Sequence, residues 1–274
     1  MEKGQETIVV EGITRRYGAI EALRGVNFCV RRGEVVGFLG PNGAGKTTTM
    51  KILTGYLAAT SGRATVAGFD VHDQSMEVRR RVGYLPENVP LYEEMLVTDY
   101  LHFVSKIREV PRKDRAQRVD EVAAQVGIAH MISRPIRELS KGYRQRVGLA
   151  QAIIHRPEVI ILDEPTGGLD PNQLVEIREV ISEIGREKTV LLSTHILQEV
   201  SAVCDRIIII DRGVVVAQGT VGELREQAGV STLEEIFFAF TATNEEVDDA
   251  GEQEVDADEE QVIEAADEQE VTHE

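Results

Sequence analysis

The first third of the chain has the hydrophobic pattern of short strands. Residues 8–10 and 26–30 are apolar or alternating, and a continuous apolar run follows at residues 35–39. Such runs predict strands, of which the first two form an antiparallel layer. A glycine-rich turn separates the third run from a predicted helix over residues 46–55, and Gly55 itself is a stop signal for that helix.

A helical pattern interrupts the strands in the middle of the chain. From Thr98 the apolar positions recur at helical spacing, and a second helix is predicted over residues 112–126, with Gly127 as its stop signal. We therefore interpret about residues 87–155 as a helical subdomain inserted into an α/β core.

Strand and helix alternate in the last third of the chain. An apolar run at residues 159–162 is typical of a strand that is buried on both faces. A helix is predicted to begin after Asp170, which has the chemistry of an N-cap, and further strands are expected at residues 189–193 and 207–210. This alternation predicts a doubly wound parallel sheet.

Two Ser/Thr-x-x-Glu capping boxes predict short helices near the C-terminal end of the folded region. They begin at Thr220 and Ser231, and each box satisfies two backbone N–H groups at the start of a helix. We assign residues 1–243 to one domain, with these C-terminal helices at residues 220–241.

Most of the net charge of −17 comes from one segment. Residues 244–274 contain 15 Asp or Glu and no Lys or Arg, and the rest of the chain has 30 basic and 32 acidic residues. The segment has too few apolar residues to offset the entropy of ordering, so we predict an acidic disordered tail. The near-balanced remainder has no basic surplus, and no nucleic-acid partner is expected.

The N-terminus and the cysteine content predict a cytoplasmic protein. The first residues lack a basic and then apolar signal pattern, and the longest apolar runs have the length of strands. The two cysteines are far apart in sequence, which favours free thiols over a disulfide or a metal site.

The loop after residues 35–39 has the chemistry of a phosphate-binding loop. It fits the pattern G-x-x-x-x-G-K-[ST] between a strand and a helix. Lys46 would contact the β- and γ-phosphates of a nucleotide, and the Thr47 hydroxyl would bind Mg²⁺. The candidate nucleotide-binding residues are Gly40, Pro41, Asn42, Gly43, Ala44, Gly45, Lys46, Thr47 and Thr48.

Two acidic residues follow the buried run at residues 159–162. In parallel sheets ligands bind at the carboxyl ends of the strands. Asp163 is therefore a candidate Mg²⁺ ligand, and Glu164 is a candidate general base that accepts a proton from an attacking water.

Residues 139–146, Leu-Ser-Lys-Gly-Tyr-Arg-Gln-Arg, place a serine hydroxyl and a glycine backbone at a helix N-terminus. Such a position binds anions. Together with the two preceding motifs, this stretch resembles the L-S-G-G-Q-type signature of ATP-binding-cassette (ABC) ATPases, in a variant with Lys before the second glycine and Tyr after it. The resemblance implies that Ser140 and Gly142 face the γ-phosphate of ATP held by a second protomer. It therefore implies a homodimer that encloses two ATP molecules.

Three further positions match the motifs of this family. Asp170, in Gly-Leu-Asp, resembles its D-loop, and His195, in Ser-Thr-His, resembles its switch histidine. The resemblance implies that His195 acts with Glu164 and Lys46 in catalysis. Spacing alone leaves Tyr17 equally suited to simple packing or to stacking on a base, and the family resemblance implies stacking on adenine.

Glu87 stands where the family usually has glutamine. A carboxylate there is a possible Mg²⁺ ligand and still accepts a hydrogen bond from water. Glutamate at this point resembles cassettes that pair with membrane subunits of the ABC-2 export type. Residues 87–92, together with residues 142–146 and 233–241, most resemble the gliding-motility-type ATP-binding subunit.

The resemblance covers about residues 7–241 and implies both fold and activity. The expected fold is an α/β P-loop ABC ATPase core with a parallel sheet, an N-terminal antiparallel β layer and the inserted helical subdomain. The expected function is ATP hydrolysis, with ATP and Mg²⁺, that energises a separate permease at the inner face of the cell membrane. The alternative is a soluble ABC ATPase that acts on ribosomes or DNA.

Overall fold

The structure is a computed structural model that describes residues 5–242, and the predicted acidic tail lies outside the described residues. The strands are β1 (Glu6–Tyr17), β2 (Ile20–Arg31), β3 (Val35–Leu39), β4 (Ser61–Val66), β5 (Phe69–Asp70), β6 (Val82–Leu85), β7 (Val159–Asp163), β8 (Thr189–Thr194), β9 (Arg206–Asp211) and β10 (Val214–Gly219). The helices are α1 (Lys46–Leu53), α2 (Ser75–Arg81), α3 (Val97–Ile107), α4 (Arg115–Gln125), α5 (Lys141–Ile153), α6 (Pro171–Gly185), α7 (Leu197–Val203), α8 (Val221–Ala228) and α9 (Leu233–Ala242).

The strands form two sheets. Four N-terminal strands make an antiparallel sheet in the order β2-β1-β4-β5, which confirms the predicted antiparallel layer. The other six are ordered β10-β9-β3-β8-β7-β6, and all neighbours in this second sheet are parallel except β9 and β10. The expected α/β fold with a parallel sheet is therefore confirmed.

The central strands of the second sheet are completely buried. Every residue of β3, β7 and β8 is buried, which explains why these strands are apolar runs rather than alternating ones. Leu39 pairs with Thr194, and Asp163 pairs with Ser193. The carboxyl ends of β3, β7 and β8 therefore lie side by side, and the polar residues Asp163, Ser193 and Thr194 lie at this edge of the sheet.

The helices α3, α4 and α5 lie between β6 and β7 in the chain, as the helical pattern predicts. Their apolar faces share one core with the sheet, and that core includes Leu101, Val122 and Val147. The limits of a separate subdomain at about residues 87–155 stay a prediction.

Helix α9 covers the far end of the sheet. Its Ile236 is fully buried among residues of β9, α7 and α8, and Leu233 and Phe237 pack beside it. Leu233, Ile236 and Phe237 lie at positions i, i+3 and i+4 of the helix, so its apolar face is covered by the sheet and the neighbouring helices. No helix within residues 5–242 is long and apolar enough to cross a membrane.

Two local predictions differ from the structure. Helix α2 lies in a stretch for which the sequence pattern indicates no element. The second capping box begins at Thr232 rather than Ser231: Thr232 Oγ1 accepts from the Glu235 N–H at 3.2 Å, and Glu235 accepts from the Thr232 N–H at 3.0 Å. The first box, at Thr220, is confirmed.

Candidate active site

The phosphate-binding loop connects β3 to α1 in a tight turn. A Cβ at Gly40 would collide with the Ile210 carbonyl oxygen, and one at Gly45 would lie 2.8 Å from the Ala22 oxygen. Gly45 also has a φ of +99°, in the left-handed region that favours glycine. The two glycines of the motif are therefore required by close packing and by backbone conformation.

Lys46 is buried beneath this loop. Its Nζ donates to the carbonyl oxygens of Gly40 at 3.0 Å and Pro41 at 3.1 Å. The same ammonium lies 3.5 Å from Oε1 of Glu164, which follows a different strand. The first residue of α1 thus joins the loop to the acidic end of β7.

Asp163, the last residue of β7, is fully buried. Burial raises the pKa of its carboxyl group and the Glu164 charge adds to the rise, whereas the Ser193 and Thr47 hydroxyls and the Lys46 ammonium oppose it. The Ser193 hydroxyl donates to Oδ1 of Asp163. Oδ2 is buried and makes no hydrogen bond of ordinary geometry with the described residues.

Glu164 has a strained backbone that its surroundings hold in place. Its φ is +45°, a left-handed conformation that is costly for a residue with a Cβ. Its N–H donates to Oγ of Ser193 at 3.0 Å and approaches the Ser193 carbonyl oxygen at 3.2 Å. This backbone conformation directs the carboxylate toward Lys46 and toward His195, whose Nδ1 lies 3.0 Å from Oε2.

Lys46, Glu164 and His195 line a cleft of about 410 Å³, a volume in the range of small-molecule sites, whereas Asp163 lies outside its lining. The residues of the predicted site that line it are Asn42, Gly43, Gly45, Lys46, Thr47, Thr48, Glu87, Glu164 and His195. Lys51, Asn88 and Gly167 also line it, and the sequence motifs point to none of these three.

The donor set fits a magnesium ion that shares its ligands with phosphate. Within residues 5–242 no group of three or more His, Cys, Asp or Glu side chains is arranged to hold a metal ion. Mg²⁺ typically takes one or two protein oxygens and completes its shell with phosphate oxygens and water. Thr47 and the orphaned Oδ2 of Asp163 suit that role, and Glu87 is an exposed carboxylate at the rim of the same cleft.

Three other predicted residues lie at helix starts outside this cleft. Ser140 caps α5, with Oγ accepting from the Tyr143 N–H at 3.4 Å. Gly142 is buried, and a Cβ there would collide with the Gln173 carboxamide. Asp170 caps α6, with Oδ1 accepting from the N–H groups of Asn172 and Gln173. Within one chain the structure does not bring Ser140, Gly142 or Asp170 to the phosphate-binding loop.

Tyr17, the last residue of β1, is also absent from the lining of the cleft. The guanidinium of Arg15 lies 4.6 Å from the centre of its ring, a cation–π contact. Its proposed contact with adenine stays a prediction.

Ser193 is a residue of the candidate site to which the sequence motifs do not point. The motif draws attention to His195, but the Ser193 hydroxyl contacts both the Asp163 carboxylate and the Glu164 N–H. A serine within a wholly buried strand, next to its last residue, is the signal that points to such contacts, because a buried hydroxyl needs hydrogen-bond partners.

Arg146 anchors the helix that begins at Ser140. Its guanidinium is buried, donates to the Val126 carbonyl oxygen at 2.8 Å and pairs with Glu176. We expect Arg146→Met to lower the free energy of unfolding by about 1–3 kcal/mol, since the Val126 carbonyl loses its charged donor. Urea denaturation measures this change.

Arg144→Met is the matched control on the same helix. Arg144 pairs with Glu93 at 3.4 Å, but its side chain is 38% exposed and that of Glu93 is 60% exposed. An exposed pair of this kind contributes less than about 1 kcal/mol. Equal destabilisation by the two substitutions would contradict the anchoring role of Arg146.

The strand, glycine-rich loop and helix, with acidic residues at the carboxyl end of a neighbouring strand, define a P-loop nucleotide-binding fold of the α/β class. Comparison with known proteins narrows this class. The model of the ABC transporter family matches residues 23–167, just over half of the chain. The chain belongs to that family.

The relatives agree with this assignment. An ABC transporter ATP-binding protein of Synechocystis sp. is 39% identical over 208 residues, which are 75% of this chain and 58% of the relative. The daunorubicin resistance ATP-binding protein of Streptomyces coeruleorubidus is 39% identical over 223 residues, covering 81% of this chain and 71% of that protein. A drug-resistance relative is consistent with the expected export-type subgroup.

A solved structure described as the ATP-binding subunit of an ABC transporter superposes with a TM-score of 0.78. It is 31% identical in sequence, and the match covers 85% of this chain and 99% of the other. The ABC ATPase fold expected from the motifs is therefore confirmed.

Proposed function

We propose that this chain binds and hydrolyses ATP and drives transport through a separate membrane permease. The observation that carries the proposal is one cleft that joins the phosphate-binding loop, the Lys46 ammonium and the Glu164 carboxylate with its His195 partner. Family membership supports the same activity, because its members are named as ATP-binding proteins of transporters.

Each residue of the cleft has a separate role in the proposed reaction. The loop N–H groups and Lys46 bind the phosphates and offset their charge. Glu164 accepts a proton from the water that attacks the γ-phosphorus, as the bond to the ADP oxygen breaks. His195 holds the carboxylate of Glu164 by its Nδ1. Thr47 and Asp163 would hold Mg²⁺, which when bound would supply positive charge to the phosphate oxygens.

The proposed active unit is a homodimer. Ser140 and Gly142 offer a helix N-terminus suited to phosphate, but they lie outside the cleft of their own chain. A second copy in head-to-tail orientation would bring these residues to the γ-phosphate, with Asp170 near the interface. Each ATP would then be enclosed by two protomers.

An exposed aromatic patch is the proposed contact with the permease. Tyr92 is 59% exposed, and its ring lies 5.6 Å from that of Phe103, while Ile107 is exposed farther along α3. Exposed apolar groups clustered in this way mark interaction surfaces. Glu87 and Asn88 line the cleft and precede Tyr92 by only a few residues, so we expect a partner docked on the patch to lie near the cleft. We place the subunit at the inner face of the cell membrane through this contact.

The test is co-purification of the tagged chain from detergent-solubilised membranes. We expect an integral-membrane protein to be recovered with the tagged wild-type chain, and we expect Tyr92→Asp to lower that recovery at least about tenfold while the ATPase rate is retained. A charge placed in an apolar contact cannot be desolvated without a large cost.

Met76→Asp is the control, because Met76 is equally exposed at 59% but lies on α2. It should leave recovery unchanged. Recovery with ribosomes or DNA and no membrane protein would favour the alternative, a soluble ABC ATPase, and would reject the permease.

A further inference from the structure

A buried carboxylate that does not line the cleft, that of Glu199, is hydrogen-bonded to the residue directly before His195. The His195 side chain is 50% exposed, and its contact with Glu164 is made from a short segment between β8 and α7. A half-exposed ring has few packing contacts to fix its direction. Its orientation must therefore come largely from the backbone on either side.

Hydrogen bonds of the Thr194 side chain connect the residues on the two sides of His195. The Thr194 hydroxyl donates to Oε2 of Glu199 at 2.9 Å and accepts from the Ile196 N–H at 3.0 Å. The Glu199 N–H in turn donates to the Ile196 carbonyl oxygen at 3.1 Å. These bonds hold the residues immediately before and after His195 against the first turn of α7.

The buried position of Glu199 is energetically unfavourable for a carboxylate. Glu199 is only 3% exposed, and its Oε1 has no hydrogen-bond partner among residues 5–242. Burial of a carboxylate with an unsatisfied oxygen costs free energy, so a group in such a place calls for an explanation. Simple packing of α7 against the sheet would be served as well by an apolar side chain.

We propose that Glu199 is a positioning residue for ATP hydrolysis, which acts through the Thr194 hydroxyl to hold His195 Nδ1 against Glu164. Neither Glu199 nor Thr194 lines the cleft. The proposal rests on the proposed ATPase function for its effect on rate, but the structural link between Glu199 and His195 can be measured without turnover.

The test uses two substitutions that remove the link and two that preserve it, all in the full chain. Thr194→Val and Glu199→Leu remove the donor and the acceptor at similar volume. Thr194→Ser and Glu199→Gln keep a hydroxyl and an acceptor oxygen. We expect the first two to lower kcat at least about tenfold with the KM for ATP nearly unchanged, since a small misplacement of a catalytic group is costly. The conservative pair should retain most of the rate.

The double variant Thr194→Val/Glu199→Leu should lose no more than Thr194→Val alone, because Thr194→Val already removes the hydrogen bond to Glu199 as well as the one from the Ile196 N–H. Thr194→Val and Glu199→Leu should also move the imidazole NMR signal of His195, identified among the six histidines by its loss in His195→Ala. Thr194→Ser and Glu199→Gln should not move it.

An unmoved His195 signal in both Thr194→Val and Glu199→Leu would overturn the proposal, and so would additive losses in the double variant. Absence of ATP hydrolysis by the wild-type chain would reject the proposed function instead. In that case the His195 signal still decides whether Glu199 positions the ring.

Discussion

Replacing Glu164 with glutamine will stop ATP turnover while ATP binding persists. The amide keeps the size of the side chain and an oxygen that accepts from His195, so the cleft retains its shape. It cannot accept a proton from water at neutral pH, and loss of a general base typically lowers the rate by about 10²–10⁴-fold. The phosphate-binding loop is unaffected, because Lys46 also bonds the carbonyl oxygens of Gly40 and Pro41.

The same substitution should stabilise the ATP-bound dimer. A neutral side chain beside the γ-phosphate removes a charge repulsion, and without hydrolysis the nucleotide remains between the protomers. Size-exclusion chromatography with ATP should show a persistent dimer, and a filter-binding assay should give an ATP affinity at least equal to that of the wild type. Undiminished hydrolysis would reject Glu164 as the base, whereas lost ATP binding would show that its role is to hold Lys46.

The strands of the site could be predicted from the sequence, but the order in which they lie in the sheet could not. Apolar runs identify β3, β7 and β8, and the polar residues that follow them identify candidate chemistry. The order of strands depends on packing between elements that are distant in the chain. Only the structure shows that the carboxyl end of β8 lies beside those of β3 and β7.

The hydrogen bonds that orient Glu164 and His195 could not be predicted from the sequence either. The left-handed conformation of Glu164 has no local signal, because that conformation normally favours glycine and is held here by Ser193. The role of Glu199 depends on how α7 folds back onto Thr194. Both contacts are tertiary, so no pattern within either element indicates them.

The position of the second capping box could not be predicted from the sequence either, here for a local reason. The stretch Ser-Thr-Leu-Glu-Glu permits a box that begins at Ser231 with Glu234 or at Thr232 with Glu235. The structure adopts the second, which keeps the β-branched Thr232 out of the helix interior. Two registers that differ by one residue are too similar in energy for composition to separate them.

Mixing two inactive variants will restore ATP hydrolysis if each site is completed by a second copy. Lys46→Met removes the ammonium that binds the phosphates, and Gly142→Asp places a carboxylate at the anion-binding start of α5. Each variant alone should fall at least about 100-fold, because in its homodimer both sites lack one component. A mixed dimer has one site with both defects and one with neither.

The expected recovery in an equal mixture is about a quarter of the wild-type rate, since half of the dimers are mixed and each has one complete site. The control mixes Lys46→Met with the double variant Lys46→Met/Gly142→Asp, a pair whose dimers contain no intact phosphate-binding loop and should stay inactive.

Differently tagged chains show whether mixed dimers form. Mixed dimers that form on ATP and hydrolyse none of it would contradict independent completion of each site by Ser140 and Gly142 of the other copy. Recovery restricted to the first mixture would mean that the cleft seen in one chain is half of the catalytic unit.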